Sequence, residues 1–210
     1  GATVAEILGL DERVDVAVFS QSTRAGTQAL RTAVRADGPA LAVAADCPRG
    51  TPDDAIDHAA GAGAVAAVTG ETGVDVRETA TYTQEYPGTR FRQRGSDAVE
   101  TYDATAYERD AYTSTIDGAL AELRDVPAAL APTAPDGSLP GRAGRLVDDG
   151  TAYHLADELG DTGAASPLFG LLAAWDAGEE TVAVLGYGAG SSVDAVVLDG
   201  YPGTDRKSVG

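Results

Sequence analysis

The sequence has few of the groups that bind metals or act as nucleophiles. Cys47 is the only cysteine, so the chain can form neither an internal disulfide nor a cysteine-based metal site. His58 and His154 lie far apart and lack the spacing of metal ligands, and we predict no structural metal. No apolar run approaches the roughly 20 residues of a membrane-spanning helix, and no signal-peptide pattern is present. We therefore expect neither a membrane protein nor a disulfide-stabilised one.

Methionine is also absent from the 210 residues. The chain thus lacks an initiator residue, and we expect that it was processed or forms part of a longer protein. Its length suffices for one large or two small domains.

Positive charge is scarce. Asp and Glu number 33 against 15 Lys and Arg, a formal net charge of -18, and Lys207 is the only lysine. The acidic residues are interleaved with apolar ones, which argues against disorder, and no basic stripe indicates a nucleic-acid partner. Self-repulsion of this size destabilises a compact fold unless salt screens it. We expect a salt-adapted protein of a high-salt cytosol; an ordinary acidic mesophilic protein is the alternative.

Short apolar segments alternate with helical patterns in the first third of the chain. A helix is predicted over Thr23–Arg35, with Ser22 or Thr23 as its cap. The valine- and alanine-rich segments are predicted to be buried strands, apolar on both faces: Val14–Ser20, Ala40–Ala45 and Ala62–Thr69. This order predicts an α/β layered fold in which strands lie between helices.

The rest of the chain continues this pattern after a polar, irregular excursion at about 83–105. The sequence shows no internal repeat. The chain ends in two apolar strands joined by a glycine-rich turn, which predicts a hairpin. The predicted elements are helices at 106–124, 141–147, 154–159 and 166–176, and strands at 79–82, 126–132, 181–186 and 193–199.

Three stretches, taken together and in order, resemble a known family. They are "TRAGTQALRTA" (23–33), "GDTGAASPLFGL" (160–171) and "GYGAGSSVDAVVL" (186–198). They are similar to the nucleophile helix, the Gly-Asn-Thr turn and the closing glycine-rich hairpin of condensing enzymes of the thiolase superfamily. The pattern resembles in particular the archaeal type of 3-hydroxy-3-methylglutaryl-CoA synthase. Each motif alone is weak, and their order and spacing carry the specificity.

The resemblance implies a thiolase-like layered α-β-α fold with an incomplete first half and a complete second half. Residues 1–80 would be the remainder of the N-terminal half, and residues 81–210 the C-terminal half. The resemblance also implies a homodimer, in which Val14–Ser20 pairs with its counterpart across the dimer axis. A thiolase or an OB-fold protein is a further partner that the resemblance suggests.

The catalytic positions of the family are substituted in this chain. The positions that match the family's cysteine, histidine and asparagine hold Thr23, Thr133 and Asp161. A threonine hydroxyl is a poor nucleophile without an adjacent base, so we expect these positions to be inactive. For Thr23 a purely structural role as a helix cap is the main alternative.

The expected ligand is a coenzyme A thioester, as substrate or bound molecule, and we expect no other cofactor. Arg24, Arg92 and Arg94 are candidates for binding its phosphates, although pairing with nearby carboxylates is an equal alternative. Gly188, Gly190 and Ser191 are candidates for close backbone approach to the thioester, or simply form a tight turn.

Other reactive residues are given minor roles. Cys47 is predicted to be a partly buried, inert thiol, and His58 and His154 to be surface or interface residues. Three functions remain open from the sequence. The first is a degenerate synthase-like protein that binds acyl-CoA or acts as a scaffold. The second is an active acyltransferase that uses catalytic groups outside this chain, and the third is a structural interaction module.

Overall fold

The computed structural model describes residues 1–86, 90–101 and 105–202. Its helices are α1 (Ala2–Ile7), α2 (Ala25–Ala33), α3 (Ala55–Ala59), α4 (Thr105–Ala121), α5 (Pro140–Gly144), α6 (Ala156–Leu159) and α7 (Ser166–Asp176). A 3-10 turn, Gly163–Ala165, directly precedes α7. The strands are β1 (Ala40–Asp46), β2 (Gly63–Thr69), β3 (Asp75–Thr83), β4 (Arg90–Phe91), β5 (Glu100–Thr101), β6 (Ala129–Pro132), β7 (Thr151–Ala152), β8 (Thr181–Gly188) and β9 (Ser192–Asp199).

The centre of the molecule is a five-stranded mixed sheet in the order β3-β9-β8-β6-β7. Strand β6 pairs in parallel with β7 and β8, whereas β9 pairs antiparallel to both β8 and β3. All four residues of β6 are buried, and β8 and β9 are buried on both faces. Such strands need cover on both sides of the sheet, because both of their faces must be removed from water.

Helices supply that cover. Helices α4 and α5 pack on one face, where Tyr112 and Ile116 contact the cluster that includes Leu185. Helices α7 and α2 cover the other face, where Leu168 and Leu30 pack near Val184. Beyond α2 lies the second, two-stranded sheet of β1 and β2. The layers are therefore helix, sheet, helix and sheet, which confirms the predicted α/β layered architecture.

The prediction that β1 is buried on both faces is wrong. Ala42 and Ala44 are buried against α2, but Leu41 and Val43 on the opposite face are 39% and 43% exposed. On the paired strand β2, Val68 is 80% exposed. The physical reason is that α2 covers one face of this small sheet, whereas no other described element covers the second face.

The prediction of a buried strand over Val14–Ser20 is also wrong. The segment has no regular secondary structure and every residue in it is exposed, with Val18 at 71%. An apolar segment becomes a buried strand only when another strand pairs with it, and no strand within the described residues does so.

The predicted excursion contains a short hairpin of β4 and β5. The backbone N–H of Val99 donates to the carbonyl oxygen of Arg49 at 2.9 Å, so the hairpin lies beside the loop after β1. Residues 87–89 and 102–104 of the excursion lie outside the described residues. The division of the chain at residue 80 stays a prediction.

In the described part of the chain, none of the helices combines the length and apolar character needed to cross a bilayer.

Candidate functional site

The turn before α2 is pressed against the end of β8. A Cβ atom at Gly186 would lie 2.7 Å from Cγ2 of Thr27, and one at Gly188 would overlap the hydroxyl of Ser22. Glycine at both positions is therefore what allows the helix to approach the strand so closely. Within the turn, Gln21 has a φ of 68°, an uncommon backbone conformation for a residue other than glycine.

Thr23 and Thr133, which the sequence predicts to match the family's cysteine and histidine, meet at the main chain of Tyr187. The Thr23 hydroxyl donates to the carbonyl oxygen of Tyr187 at 2.6 Å. The Thr133 hydroxyl accepts from the backbone N–H of Tyr187 at 2.9 Å and lies 3.4 Å from the same carbonyl oxygen. The fold thus brings both positions together, and the main-chain N–H and carbonyl groups of one residue of β8 form hydrogen bonds with the two hydroxyls.

Thr23 is not the helix cap that the sequence suggested. The N-cap residue is Arg24, no side chain caps α2 in the usual way, and the Thr23 hydroxyl is directed to β8 instead. The Ser22 hydroxyl accepts a hydrogen bond from the backbone N–H of Arg24 at 3.2 Å. The difference agrees with the close packing of Ser22 and Arg24 on Gly188, which leaves the Thr23 side chain facing β8.

A buried tyrosine lies behind this pair. The Tyr112 hydroxyl donates to the carbonyl oxygen of Thr133 at 2.8 Å, and its ring packs edge-on against Tyr187 with centroids 5.1 Å apart. Burial raises the pKa of Tyr112 well above its ordinary value. Tyr112 therefore remains a neutral donor that fixes the Thr133 backbone and is no candidate for a base near neutral pH.

The turn that carries Asp161, the residue predicted to match the family's asparagine, joins the same region. Asp161 is buried, and its Oδ1 accepts from the backbone N–H of Gly163 at 2.8 Å. Further along the turn, the Ser166 hydroxyl accepts from the backbone N–H of Ala134 at 2.7 Å, next to Thr133. Hydrogen bonds therefore join Thr23 to Thr133 through Tyr187, and they join the turn that follows Asp161 to the segment that carries Thr133.

The carboxylate of Asp46 fixes the other side of this turn. Its Oδ2 accepts from the backbone N–H of Ala164 at 3.1 Å, which ties the end of β1 to the 3-10 turn before α7.

The arginines predicted to bind phosphates have different surroundings. Arg24 donates through Nε to Oδ2 of Asp194 at 2.9 Å, and Arg31 pairs with the second oxygen of the same, fully buried carboxylate. Arg92 and Arg94, by contrast, are exposed residues that follow β4. The structure therefore places Arg24 in an internal ion pair and leaves the other two at the surface.

Gly190 and Ser191 form the turn of the β8–β9 hairpin. Both have positive φ angles, of 92° and 67°, and the Ser191 N–H donates to the carbonyl oxygen of Gly188 at 3.1 Å. The predicted glycine-rich hairpin is thus confirmed, and it places Gly188 beside the turn before α2. Binding of a ligand by these residues stays a prediction.

The remaining reactive side chains lie elsewhere. Cys47 is exposed, which corrects the prediction of a partly buried thiol; it follows β1 in an open loop rather than in the core. His58 is exposed on α3, and His154 is half-buried and accepts from the backbone N–H of Ala156. Across the described ranges, no group of three or more His, Cys, Asp or Glu side chains is arranged to hold a metal ion.

Three residues of the site escaped prediction. Tyr187 acts through its peptide group, which no side-chain pattern reveals. Asp194 did carry a signal, since a single carboxylate inside the apolar strand "SVDAVVLD" indicates a buried, paired charge. Asp46 carried a weaker one, as a carboxylate that ends an apolar strand.

The amino-acid sequence is similar to hydroxymethylglutaryl-CoA synthases over about a third of the chain. No family model matches the chain. A hydroxymethylglutaryl-CoA synthase of Thermococcus onnurineus is 38% identical over 76 residues, which is 34% of this chain and 22% of the relative. The synthase of Thermococcus gammatolerans is 37% identical over 75 residues, which is 33% of this chain and 21% of the relative.

Solved structures share the fold over nearly the whole chain. A crystal structure of an HMG-CoA synthase complexed with CoA has a TM-score of 0.83 and 16% identity, and covers 96% of this chain. PksG, an HMG-CoA synthase of Bacillus subtilis, has a TM-score of 0.77 and 19% identity over 96% of this chain. A third, in complex with 3-hydroxy-3-methylglutaryl coenzyme A, has a TM-score of 0.75 and 18% identity over 94%.

These structural similarities confirm the predicted thiolase-like fold, of which the chain matches a part. The chain spans about 60% of the length of the solved synthases, with values of 60%, 59% and 62% for the three structures.

Proposed function

We propose that this chain, which has the thiolase-like fold of hydroxymethylglutaryl-CoA synthases and resembles them in sequence, binds an acyl-CoA thioester without condensing it. The observation that carries this proposal is the junction at Tyr187. The hydroxyls of Thr23 and Thr133, at the positions predicted to match the family's cysteine and histidine, are both hydrogen-bonded to the main chain of Tyr187. They act there as structural links between α2, β6 and β8.

The chemistry of condensation supports the same conclusion. Acyl transfer to an enzyme needs a nucleophile that an adjacent base or a lowered pKa activates. The Thr23 hydroxyl donates to a carbonyl oxygen, which cannot accept its proton at neutral pH. Neither histidine forms any of the described hydrogen bonds to Thr23 or Thr133.

Ligand binding is supported by what remains around this junction. Solved synthases of the same fold are complexed with CoA and with 3-hydroxy-3-methylglutaryl coenzyme A. In this chain, exposed Arg92 and Arg94 supply positive charge suited to phosphates in a strongly acidic protein. The turn before α2 and the hairpin turn at Gly190 are the proposed contacts for the thioester.

The proposal extends to partners and setting. The apolar, exposed segment Val14–Ser20 is the proposed contact of a homodimer. A thiolase or an OB-fold protein is a second proposed partner, in which case the chain would act as a scaffold for condensing enzymes. The net charge of -18 supports an archaeal, high-salt cytosol as the place where it works.

The experiment measures binding and turnover on the same protein. The chain is titrated with acetyl-CoA and acetoacetyl-CoA in multimolar KCl by calorimetry, and release of free CoA is followed with a thiol reagent. We expect saturable binding and no release above the uncatalysed background. The double variant Arg92→Ala and Arg94→Ala should weaken binding about thirtyfold, since each of the two lost charge-assisted contacts is worth about 1 kcal/mol.

Arg13→Ala is the matched control, because Arg13 is an exposed arginine that, within the described residues, pairs with its near neighbour Asp11. It should leave affinity unchanged. Turnover that disappears on Cys47→Ser would overturn the proposal and indicate a relocated nucleophile. Absence of saturable binding would instead favour a purely structural interaction module.

A further inference from the structure

Three arginines lie in a row along α2 and its two ends, facing the edge of the five-stranded sheet. Arg24 and Arg31 both pair with the buried carboxylate of Asp194 on β9. One turn further along the chain, just after α2, Nη2 of Arg35 donates to the Thr79 hydroxyl of β3 at 3.4 Å. The row therefore brings three positive charges to one place in a protein whose net charge is -18.

The protein supplies too few acceptors for this row. Each guanidinium group has five N–H donors, whereas Asp194 has two carboxylate oxygens. Nε of Arg31 is buried and has no hydrogen-bond partner among the described residues. Arg35 forms none of the described ion pairs, and Glu78, an acidic residue of β3, is bonded to Arg124 instead.

The charges of the row do not balance either. Three guanidinium groups face one carboxylate and the partial negative charge at the C-terminal end of α2, which is about half a unit. More than one positive charge therefore remains without a partner in contact. Such a local excess attracts anions even where the rest of the surface is acidic.

The strand beside the row offers hydroxyl groups to an anion. Thr79, Thr81 and Thr83 alternate along β3, on the face opposite Ala80, which belongs to the cluster under α4. Thr81 and Thr83 are exposed, so an ion can reach this face in the described structure. Guanidinium and hydroxyl groups are typical donors to phosphate oxygens.

The geometry of helix and strand places two arginine–hydroxyl contacts side by side. Arg31 donates to Thr81 and Arg35 donates to Thr79, so the helix runs antiparallel to the strand. Four residues of helical backbone advance about 6 Å and two residues of strand about 7 Å, so the two contacts stay in step. A tetrahedral oxyanion can span this gap, because different oxygens accept from the two guanidinium groups at about 2.8 Å each.

We propose that Arg31 and Arg35 bind a phosphate group between α2 and β3, together with the threonine hydroxyls that they contact. The phosphate supplies the negative charge and the acceptors that the row lacks, and Asp194 holds Arg31 in position. Chloride suits the site less well, because a single atom cannot accept from both guanidinium groups across this spacing. The inference does not depend on the proposed thioester binding, whose contacts are the turn before α2, the hairpin turn at Gly190 and the arginines after β4.

The test follows the phosphorus-31 line width of inorganic phosphate as the chain is added in 1 M KCl. We expect saturable broadening, since a bound phosphate tumbles with the protein. Chloride is in large excess throughout, so non-specific attraction of anions is already saturated. Methyl phosphate is titrated in parallel and distinguishes two sources of the group: tighter binding of the ester indicates a phosphorylated organic molecule, and tighter binding of inorganic phosphate indicates the free ion.

Arg35→Gln is the main variant, because Arg35 is exposed and lies outside the ion pairs of Asp194, so the fold should survive its loss. We expect it to weaken phosphate binding about tenfold or more, since hydrogen bonds to a charged group are lost. Thr79→Val keeps the shape of the side chain without its hydroxyl and should weaken binding about fivefold. Arg13→Gln is the matched control, an exposed arginine that pairs with Asp11, and should leave binding unchanged.

Equal phosphate affinity in Arg35→Gln and the parent would overturn the proposal, as would the absence of saturable broadening. Loss of phosphate binding in the double variant Arg92→Ala and Arg94→Ala would also overturn it, because the phosphate would then occupy the proposed thioester site. Calorimetry with acetyl-CoA on Arg35→Gln keeps the two proposals separate. Its affinity should be unchanged, and phosphate binding can persist where thioester binding fails.

Discussion

At the scale of single residues, the position of α2 depends on the buried carboxylate of Asp194. This side chain is fully buried and binds both Arg24 and Arg31, while Thr81 donates to its Oδ1 at 3.0 Å. Asp194→Asn would leave two largely buried guanidinium groups without their counter-charge. We expect a loss of about 3–5 kcal/mol in the free energy of unfolding, measured by chemical denaturation in KCl.

Asp125→Asn is the matched control, because Asp125 also pairs with an arginine, Arg77, but is 78% exposed. It should cost less than about 1 kcal/mol. If the two variants lost similar stability, the ion pair at Asp194 would have no special structural role.

A second prediction for a single residue concerns alkaline pH. The Tyr153 hydroxyl donates to Glu179, and this hydrogen bond, with a smaller contribution from burial, raises the pKa of Tyr153 to about 12. In the unfolded chain its pKa is about 10. The neutral form is therefore favoured in the folded state, and its stabilising contribution is complete below about pH 10 and disappears between about pH 10 and 12.

Tyr153→Phe removes this contribution. We expect the variant to be less stable than the parent near neutral pH and to lose stability less steeply between about pH 10 and 12, as measured by denaturant midpoints across that range. Glu179→Gln should flatten the curve in the same way. Parallel curves for parent and variant would show that the hydrogen bond does not control the titration.

The residues of the candidate site were predictable only where side-chain identity carried the information. Thr23, Thr133 and Asp161 were located by motif, and the structure brings their segments together. Tyr187 was not, because it acts through its N–H and carbonyl groups, which every residue except proline has. Burial of Asp194 depends on the pairing of β9 with β3, a long-range contact that local sequence does not encode.

At the scale of secondary-structure elements, the helix and hairpin predictions for the second half agree closely with the structure. Helix α7 has the predicted bounds, and Gly178, with a φ of 93°, follows it as expected. The errors concern β1 and Val14–Ser20, which are apolar in composition but partly or wholly exposed in the structure. Apolar composition shows that a segment favours burial, but it does not show which element packs against it. Both segments were therefore predicted as buried.

The packing of α2 on β8 gives a prediction at this scale. A Cβ atom added by Gly186→Ala would lie 2.7 Å from Cγ2 and 2.8 Å from Cβ of Thr27, so the helix must shift from the strand. We expect a loss of about 1–3 kcal/mol in the free energy of unfolding, typical of an overpacked core. Thioester affinity should fall as well, because the proposed site lies where the two elements meet.

Gly141→Ala provides the contrast. A Cβ atom there meets no other atom within 4 Å, and the residue lies in α5. Alanine should stabilise the helix by about 0.5–1 kcal/mol. Equal effects of the two substitutions would mean that close packing at Gly186 does not hold α2 in place.

At the scale of the whole molecule, the net charge of -18 opposes the packing of a chain that also leaves an apolar sheet face open. The screening length falls from about 10 Å at 0.1 M salt to about 3 Å at 1 M, so added KCl should weaken repulsion between surface carboxylates. We expect Tm to rise between these concentrations, and each kcal/mol gained corresponds to about 2–4 °C for a chain of this size.

Sucrose is excluded from protein surfaces but does not screen charge, so it separates charge screening from the general effect of an excluded solute. A larger rise in KCl than in sucrose of matched osmolality supports charge screening, whereas equal rises would refute it. The same KCl series on a variant with four exposed aspartates changed to asparagine, Asp15, Asp37, Asp75 and Asp148, should show a smaller rise, because less repulsion remains to be screened.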